Sequence, residues 1–497
     1  MAHGSDLSGS NPPRSTYYDQ GKFGRLFPTL PPFAADSPLV RHALGEIGKK
    51  GGLLDANDDL AAGPIQLIVD PAKSVHNPDN PDLTAGMTFL GQFLDHDLTF
   101  DPTSSLARQQ DPEAIRNFRT PIFELDSVYG SGPTASPHLY NQHVDGGRTT
   151  LLVEEIPGSE TMSLGGARFD VPRNSQGVAL VGDPRNDENL IVSQLHVAFV
   201  KFHNMVVERV RAELGPNAAT SEVFSEAQRL VRWHYQWIIV HEFLPKTVGA
   251  DLVDDIIDNG RQFYRWRNDP FIPVEFSVAA YRFGHSQVRP SYRANFGTSA
   301  TDPTKQFFGL IFDATQPAGP DPDDLRGGVR APRRFVDWQT FFDFGDGRAR
   351  HNKKIDTTLS TPLFNLLGFA AGDNDSLASR NLLRNLVFGV PSGQSVAKAM
   401  NQTPLPASEL ADLEPYHLHD RTPLWFYVLR EAQVVNDGKH LGPVGGRIVG
   451  EVFLGVLQGD PSSYLRQDPT WTPTLAGNGA FTMTDLLRLA GVVAPLP

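Results

Sequence analysis

Cysteine is absent from this chain of 497 residues. Its absence excludes disulfide frameworks, thiolate-held iron–sulfur clusters and cysteine-ligated haem, since each needs a cysteine sulfur. No stretch approaches 18 uninterrupted apolar residues, the length expected of a membrane-spanning helix. The amino terminus carries neither a basic nor an apolar signal region. We therefore expect a soluble protein, cytoplasmic by default, with non-classical secretion left open.

Basic residues are fewer than acidic residues in this chain. Lys and Arg number 44 against 57 Asp and Glu, which gives a formal net charge of -13. This balance disfavours nucleic acid and anionic membranes as main partners. Apolar residues make up 40% of the chain, enough for a large core. Candidate site residues are scattered from Gln92 to Asn381, which favours one main domain over independent modules.

The chain divides into an arm and a main body. Residues 1–80 are rich in Pro, Gly, Asn and Asp and predict an irregular N-terminal arm that packs on the body. From residue 81 to 497 helical patterns dominate, so the fold class is mainly α, a single large domain with little β. Helices are predicted from about residue 189, over 221–243 with a stop at Leu244-Pro245, and over 275–288, 376–388, 423–435 and 445–457.

One helical segment concentrates polar chemistry among core-like residues. Gln92, Asp95 and His96 fall at i, i+3 and i+4 and share a face, whereas Asp97 points away from it. A lone histidine on an apolar helix is usually a packing residue. A functional interpretation therefore needs partners elsewhere in the chain.

Other segments supply such partners. Arg185 and Glu188 are three residues apart, so a guanidinium and a carboxylate can face one pocket. His285 follows Gly284, which would let a flat group approach the backbone closely. Asn381 offers an amide that could orient a ring nitrogen. Residues 120–126 alternate oxygen-bearing positions.

In combination these motifs resemble the animal-type haem peroxidase and cyclooxygenase superfamily, in its bacterial branch. The motifs Gln-x-x-Asp-His-Asp, Arg-x-x-Glu, Arg-x-Gly-His and Asn-x-x-Arg occur in the family's order, from about Gln92 to residues 463–465. The resemblance implies that residues 81–497 form a haem peroxidase catalytic domain. It implies haem b, hydrogen peroxide as oxidant, and a small organic donor or halide oxidised through a ferryl intermediate.

The catalytic roles follow from the side chains and the resemblance together. Cleavage of a peroxide bond needs a base and a positive group. His96 suits the first role because its ordinary pKa is near neutral, and Arg185 suits the second because it stays charged. Gln92, on the same face as His96, can hold a water, peroxide or halide.

The resemblance also implies the cofactor-binding residues. His285 would be the axial ligand of the haem iron, and Asn381 would accept a hydrogen bond from its other ring nitrogen. Asp95 and Glu188 match positions that form ester bonds to haem in mammalian members. The family's methionine link cannot form, because Asn189 stands at that position. The alternative is that both acids are ordinary buried carboxylates.

A calcium site is expected beside the haem. Asp97, Thr120, Ile122, Glu124 and Asp126 resemble the family's calcium loop, with Ile122 contributing only its carbonyl. Carboxylate, hydroxyl and carbonyl oxygens are the ligands that calcium prefers. The alternative is a solvated acidic turn.

Two other functions stay open, a fatty-acid dioxygenase on the same fold and a non-catalytic haem- or calcium-binding protein. Fatty-acid oxygenases of this superfamily have a tyrosine three residues before the proximal histidine, where this chain has Arg282; its Tyr281 lies four before. That offset turns the side chain by about 100° on a helix. The sequence indicates neither the donor nor the oligomeric state. Four further histidines are expected to be packing residues: His196, His203, His234 and His241.

Overall fold

The computed structural model describes residues 21–143, 148–267, 269–369, 374–477 and 479–496. Over these residues the fold is mainly α-helical, as predicted. The helices are α1 (Pro38–Gly48), α2 (Gly63–Val69), α3 (Ala85–Leu98), α4 (Asp126–Tyr129), α5 (Gly132–Ala135), α6 (Leu190–Leu214), α7 (Thr220–Ile238), α8 (Leu244–Val248), α9 (Ala250–Asn259), α10 (Val274–Ser277), α11 (Leu377–Val387), α12 (Gly393–Ala399), α13 (Leu424–Asn436), α14 (Pro443–Gly459), α15 (Tyr464–Gln467) and α16 (Met483–Leu489).

The strands are short and join loops to the helical body. They are β1 (Gly21–Gly24), β2 (Asp79–Thr84), β3 (Arg116–Asn117), β4 (Glu154–Glu155), β5 (Phe169–Asp170), β6 (Ile272–Pro273), β7 (Ser291–Arg293), β8 (Phe308–Leu310) and β9 (His351–Lys353). β1 pairs antiparallel with β3 and parallel with β6. The pairs β2–β9, β4–β5 and β7–β8 are antiparallel ribbons.

Helix α6 lies at the centre of the core. The side chain of Asn189 caps it, accepting hydrogen bonds from the amides of Ile191 and Val192 at 3.1 and 2.9 Å. It packs against α3, α7 and α16. Among the described residues it is the one helix long and apolar enough to span a membrane, yet 83% of that window is buried inside the protein. Such burial is what a core helix shows.

The helix predictions are confirmed for α6, α11, α13 and α14, whose bounds lie close to the expected ones. The stop at Pro245 is wrong. α7 passes through a π-helical turn, Ile239–Phe243, into α8, because a proline is tolerated in the first turn of a helix, where its missing N–H is not needed.

Two other expectations differ from the structure. The helix expected over 275–288 is instead α10 followed by a 3-10 turn, Ala280–His285. The supposedly irregular arm contains α1 and α2, and α1 packs against α11, the helix that carries Asn381.

Candidate active site

Helix α3 presents Gln92, Asp95 and His96 to the segment 183–189, as their spacing predicts. Asp97, on the other side, contacts the loop before α4 and a tyrosine of α7. One helix therefore serves two separate polar regions.

His96 is buried and oriented by an amide. Its Nδ1 lies 2.8 Å from Oδ1 of Asn186, whose Nδ2 lies 3.1 Å from Nδ1 of His196. Because an amide oxygen only accepts, Nδ1 of His96 carries the proton and Nε2 is left basic. Burial, and then the charge of Arg185, lower the pKa of His96 to about 3. The ring is thus neutral and able to accept a proton near neutral pH.

Arg185 is anchored by Asp183. Its Nε and Nη2 donate to the Asp183 carboxylate at 3.1 and 2.8 Å, and Nη2 also donates to the carbonyl of His96 at 3.2 Å. Burial alone would raise the pKa of Asp183, but Arg185 and Arg119 hold it well below its ordinary value. The guanidinium is therefore fixed beside His96 by a carboxylate that stays charged.

Gln92 and Glu188 meet at the start of α6. Nε2 of Gln92 donates to Glu188 at 3.3 Å, and Nδ2 of Asn189 donates to Oε1 of Gln92 at 3.3 Å. Burial raises the pKa of Glu188 to about 7, although the charge of Arg185 opposes the shift. Asn189 thus both caps α6 and fixes the orientation of Gln92.

Asp95 lies between the two halves of the site. It is 3.7 Å from Nη1 of Arg185 and accepts from the hydroxyl of Thr99 at 3.1 Å. Burial raises its pKa, opposed by the charges of Arg185 and Arg282. Its side chain still keeps 34% of its surface open. Asp95 therefore borders an open space, and both Arg185, beside His96, and Arg282 act on it.

The arrangement at His285 corrects one prediction. Nδ1 of His285 lies 2.7 Å from the Nδ2 nitrogen of Asn381, and the Asn381 oxygen accepts from Arg282 at 3.0 Å. Asn381 thus donates to the ring instead of accepting from it. An arginine can only donate, so turning the amide would place two donors face to face.

The residues around His285 fit a histidine-ligated haem. Burial, and the charge of Arg282, lower the pKa of His285 to about 3, so the neutral ring can offer a lone pair. Because Nδ1 accepts, the ring proton is on Nε2 and must leave when a metal binds there. A Cβ on Gly284 would meet no atom of the described residues within 4 Å. Open space therefore borders the backbone next to His285.

Among the predicted calcium residues, Asp97 is a buried carboxylate on which the charges of Asp126 and Glu124 act. One oxygen of Asp97 accepts from the amide of Leu125 at 3.0 Å and the hydroxyl of Tyr235 at 3.2 Å. Its other oxygen has no hydrogen-bond partner among the described residues. Leu125 adopts a left-handed φ of 61°, rare for a leucine. Burial, and the charges of Asp126 and Glu124, raise the pKa of Asp97 well above its ordinary value.

An arginine already supplies a cation here. Nη1 of Arg119 lies 3.2 Å from Asp126. The carbonyl of Thr120 accepts from the amide of Ile122 at 2.8 Å. Within the part of the chain that the structure describes, no group of three or more His, Asp or Glu side chains is arranged to hold a metal. The loop thus has an unsatisfied acidic oxygen without a preformed metal cage.

Four residues of the site were missed by sequence reasoning: Arg119, Asp183, Asn186 and Arg282. Asp183 had a recognisable signal, because it caps the turn 184–187 by accepting from the amide of Arg185 at 2.9 Å. Asn186 and Arg119 had none, since their partners His96 and Asp183 are 90 and 64 residues away in the chain.

Known proteins match this chain in sequence. The animal haem peroxidase family model matches residues 106–316. Chorion peroxidase of Drosophila melanogaster is 26% identical over 362 residues, 69% of this chain and 42% of that protein. Thyroid peroxidase of Sus scrofa is 26% identical over 194 residues, 37% of this chain and 20% of that protein. The chain thus spans less than half the length of these curated relatives.

Solved structures share the fold. Peroxidase A from Dictyostelium discoideum has a TM-score of 0.58 at 16% identity, covering 94% of each chain. Fatty acid alpha-dioxygenase from Oryza sativa has a TM-score of 0.57 at 14% identity, covering 95% of this chain and 79% of that one. At such identities the likeness concerns the fold alone. The family match over residues 106–316 and the peroxidase relatives make the chain similar in sequence to the animal haem peroxidases.

Proposed function

We propose that the protein is a haem-dependent peroxidase that uses hydrogen peroxide to oxidise small organic donors or halides. The observation that carries the proposal is a pair of buried histidines, each oriented by an asparagine. His96 is held by Asn186 beside a charged arginine, and His285 is held by Asn381. The match of residues 106–316 to the animal haem peroxidase family model supports haem as the cofactor.

Each residue of the candidate site would have a separate role in the reaction. His285 would hold the iron, and haem, when bound, supplies the centre that takes oxidising equivalents from peroxide. His96 accepts the peroxide proton at Nε2, because its Nδ1 is bound by an amide oxygen. Arg185 stabilises the negative charge that develops as the proton leaves. Gln92 positions the small molecule, because its amide is fixed by a hydrogen bond at the nitrogen and another at the oxygen.

A fatty-acid dioxygenase is the second candidate, favoured by the fold shared with a fatty acid alpha-dioxygenase. Tyr281 is buried and donates to the carbonyl of Gly91 on α3 at 2.9 Å. Position 282, where such oxygenases have their tyrosine, is an arginine bound to Asn381. The peroxidase interpretation accounts for this arginine, and the oxygenase interpretation does not.

One experiment separates the candidates. The chain is loaded with haem and assayed for peroxide-dependent oxidation of a phenol or halide, and for oxygen uptake with an unsaturated fatty acid. We expect donor oxidation with little oxygen uptake. Rapid uptake that is lost in Tyr281→Phe, but kept in the control Tyr427→Phe, would favour the dioxygenase. Haem binding without either activity would support the non-catalytic alternative.

The proposal includes two finer features. Calcium would bind at Asp97, Thr120, Ile122, Glu124 and Asp126, supported by the unsatisfied oxygen of Asp97. Ester bonds to haem would form through Asp95, Glu188 or both. The exposed surface of Asp95 supports this part of the proposal.

A further inference from the structure

An aromatic cluster lies where α7 enters the π-helical turn, away from the candidate active site. Three of the chain's six tryptophans meet there. The ring of Trp471 lies 5.3 Å from Trp233 and 6.0 Å from Trp237, and His241 stacks on Trp237 at 3.7 Å. Tyr464 lies 5.9 Å from Trp237. We call these five residues the surface aromatic cluster.

Tyr464 and His241 form a phenol–imidazole pair between the interior and the solvent. The Tyr464 oxygen lies 3.2 Å from Nε2 of His241. Tyr464 is 1% exposed, whereas His241 is exposed at the surface. Burial raises the pKa of Tyr464, and partial burial of the ring against Trp237 lowers the pKa of His241. A neutral phenol therefore faces a neutral proton acceptor that contacts water.

This pairing sets His241 apart from the other histidines. His196, His203 and His234 are buried and hydrogen-bonded, so the expectation that they are packing residues is confirmed. His241 instead lies in the π-helical turn Ile239–Phe243. Such turns are rare and are frequent at functional sites, since the extra residue interrupts the regular hydrogen bonding of the helix. Here the turn leaves His241 stacked on Trp237.

A series of rings leads from the candidate active site towards the cluster. Tyr281, which contacts α3, lies 5.0 Å from Phe453. Phe453 lies 4.9 Å from Phe123, and Phe123 lies 6.1 Å from Tyr235. The side chain of Gln236 connects Phe123 to the cluster, because its Nε2 donates to the carbonyl of Phe123 at 3.0 Å and its Oε1 accepts from the amide of Tyr464 at 3.1 Å. Closely spaced rings of this kind provide a route for electron transfer.

We propose that the surface aromatic cluster is a second oxidation site, at which a bulky phenolic donor too large for the haem pocket loses one electron at the protein surface. The inference rests on the proposed peroxidase function, which supplies the oxidant. The exposed His241, stacked on the half-buried Trp237, is the contact surface for the donor ring. Tyr464 is the residue behind it that carries the oxidising equivalent.

The step balances in electrons and protons. Tyr464 gives one electron inward, past Gln236 and through the linking rings, to the oxidant formed from hydrogen peroxide at haem, and its phenolic proton passes to Nε2 of His241. The donor phenol then gives one electron to the tyrosyl radical and its own proton to water. His241 returns the first proton to Tyr464. The donor becomes a phenoxyl radical, and the oxidant is reduced by one equivalent.

The first test needs no haem. The full chain is oxidised by photogenerated ruthenium(III) tris-bipyridyl, and tyrosyl and tryptophanyl radicals are followed by transient absorption and electron paramagnetic resonance. We expect a tyrosyl signal in the wild type that is lost in Tyr464→Phe and reduced in Trp237→Phe. The controls Tyr427→Phe and Trp266→Phe, which lie outside the cluster, should keep it. An unchanged signal in Tyr464→Phe would overturn the proposal.

The second test uses one phenol in two forms, free and coupled to dextran, with haem-loaded enzyme and peroxide. We expect Trp237→Phe and Tyr464→Phe to oxidise the free phenol at the wild-type rate and the dextran-linked phenol at least about tenfold more slowly. A wild type that oxidises only the free phenol, or variants that oxidise both forms normally, would overturn the inference. A wild type that oxidises neither form contradicts the proposed peroxidase function instead, and the first test still decides on the cluster.

Discussion

The side-chain nitrogen of Asn381 points at Nδ1 of His285 across 2.7 Å, because Arg282 occupies the oxygen of the same amide at 3.0 Å. The tautomer of His285 is therefore set by Arg282 through the Asn381 amide. Arg282 also acts electrostatically on Asp95. A single arginine thus influences both the candidate iron ligand and the carboxylate at the centre of the site.

Asn381→Asp should reverse this tautomer. A carboxylate can accept from Arg282 and from Nδ1–H at once, so the ring proton should move from Nε2 to Nδ1. Nitrogen-15 chemical shifts of His285 in the haem-free chain measure the change. If the wild-type ring already carries its proton on Nδ1, the amide orientation inferred from Arg282 is wrong.

The role of each histidine can be tested by its removal. His96→Ala and Arg185→Ala should still bind haem but react with peroxide at least roughly 10²-fold more slowly, the usual scale for a lost base or charge stabiliser. His285→Ala should lose or strongly alter the Soret band of a histidine-ligated ferric haem. Stopped-flow absorption measures both effects, with the exposed His42→Ala as control. A normal spectrum in His285→Ala would contradict the ligand assignment.

The parts of the site set by local periodicity could be predicted from the sequence. The i, i+3, i+4 spacing placed Gln92, Asp95 and His96 on one face of α3, because a helix repeats every 3.6 residues whatever its partners. The direction of the Asn381–His285 hydrogen bond could not be predicted. It depends on Arg282, 99 residues from Asn381 in the chain, and only tertiary packing brings the two together.

The same limit applies to the fold. The apolar stripe of α6 and the bounds of α13 and α14 follow from side-chain patterns. The π-helical turn before Pro245 could not be predicted from such patterns. A proline ends many helices, but it also occurs in the first turn of a helix, and the sequence looks the same in both cases.

Glu431 should make stability depend on pH. It is 4% exposed and accepts from the amides of Val444 and Gly445 at the start of α14, and burial raises its pKa to about 7. The folded state therefore holds this proton more tightly than the unfolded chain. The stabilisation is complete below about pH 4.5 and is lost as the pH rises through about 7.

Glu431→Gln tests this dependence, because the amide oxygen can still accept without becoming charged. Relative to the wild type, the variant should gain stability between pH 5 and pH 8 by up to about 3 kcal/mol, at about 1.4 kcal/mol for each pKa unit. Urea denaturation at both pH values measures the difference. The exposed control Glu160→Gln should follow the wild type. Parallel pH profiles for wild type and Glu431→Gln would contradict the raised pKa.

Calcium should stabilise the loop that contains Asp97. A ligand at about 100 times its Kd stabilises the folded state by about 2.7 kcal/mol, so excess calcium should raise the Tm and a chelator should lower it. Asp97→Asn should abolish this response, whereas the exposed Asp258→Asn should keep it. If calcium leaves the Tm of the wild type unchanged, the calcium part of the proposal fails, and Arg119 is the cation that balances Asp126.

Haem should become covalently attached if the carboxylates at the ester positions react with it. Asp95 keeps an exposed surface beside Arg185 and Arg282, and Glu188 lies against Gln92. After peroxide treatment, some haem should stay on the denatured chain through extraction with acidified solvent. Asp95→Ala combined with Glu188→Ala should release all of it, and each single variant should show which carboxylate contributes. Mass spectrometry of haem-bearing peptides identifies the attachment point. Complete extraction from peroxide-treated wild type would mean that both side chains are non-covalent neighbours of the haem, with Asp95 paired to Arg185.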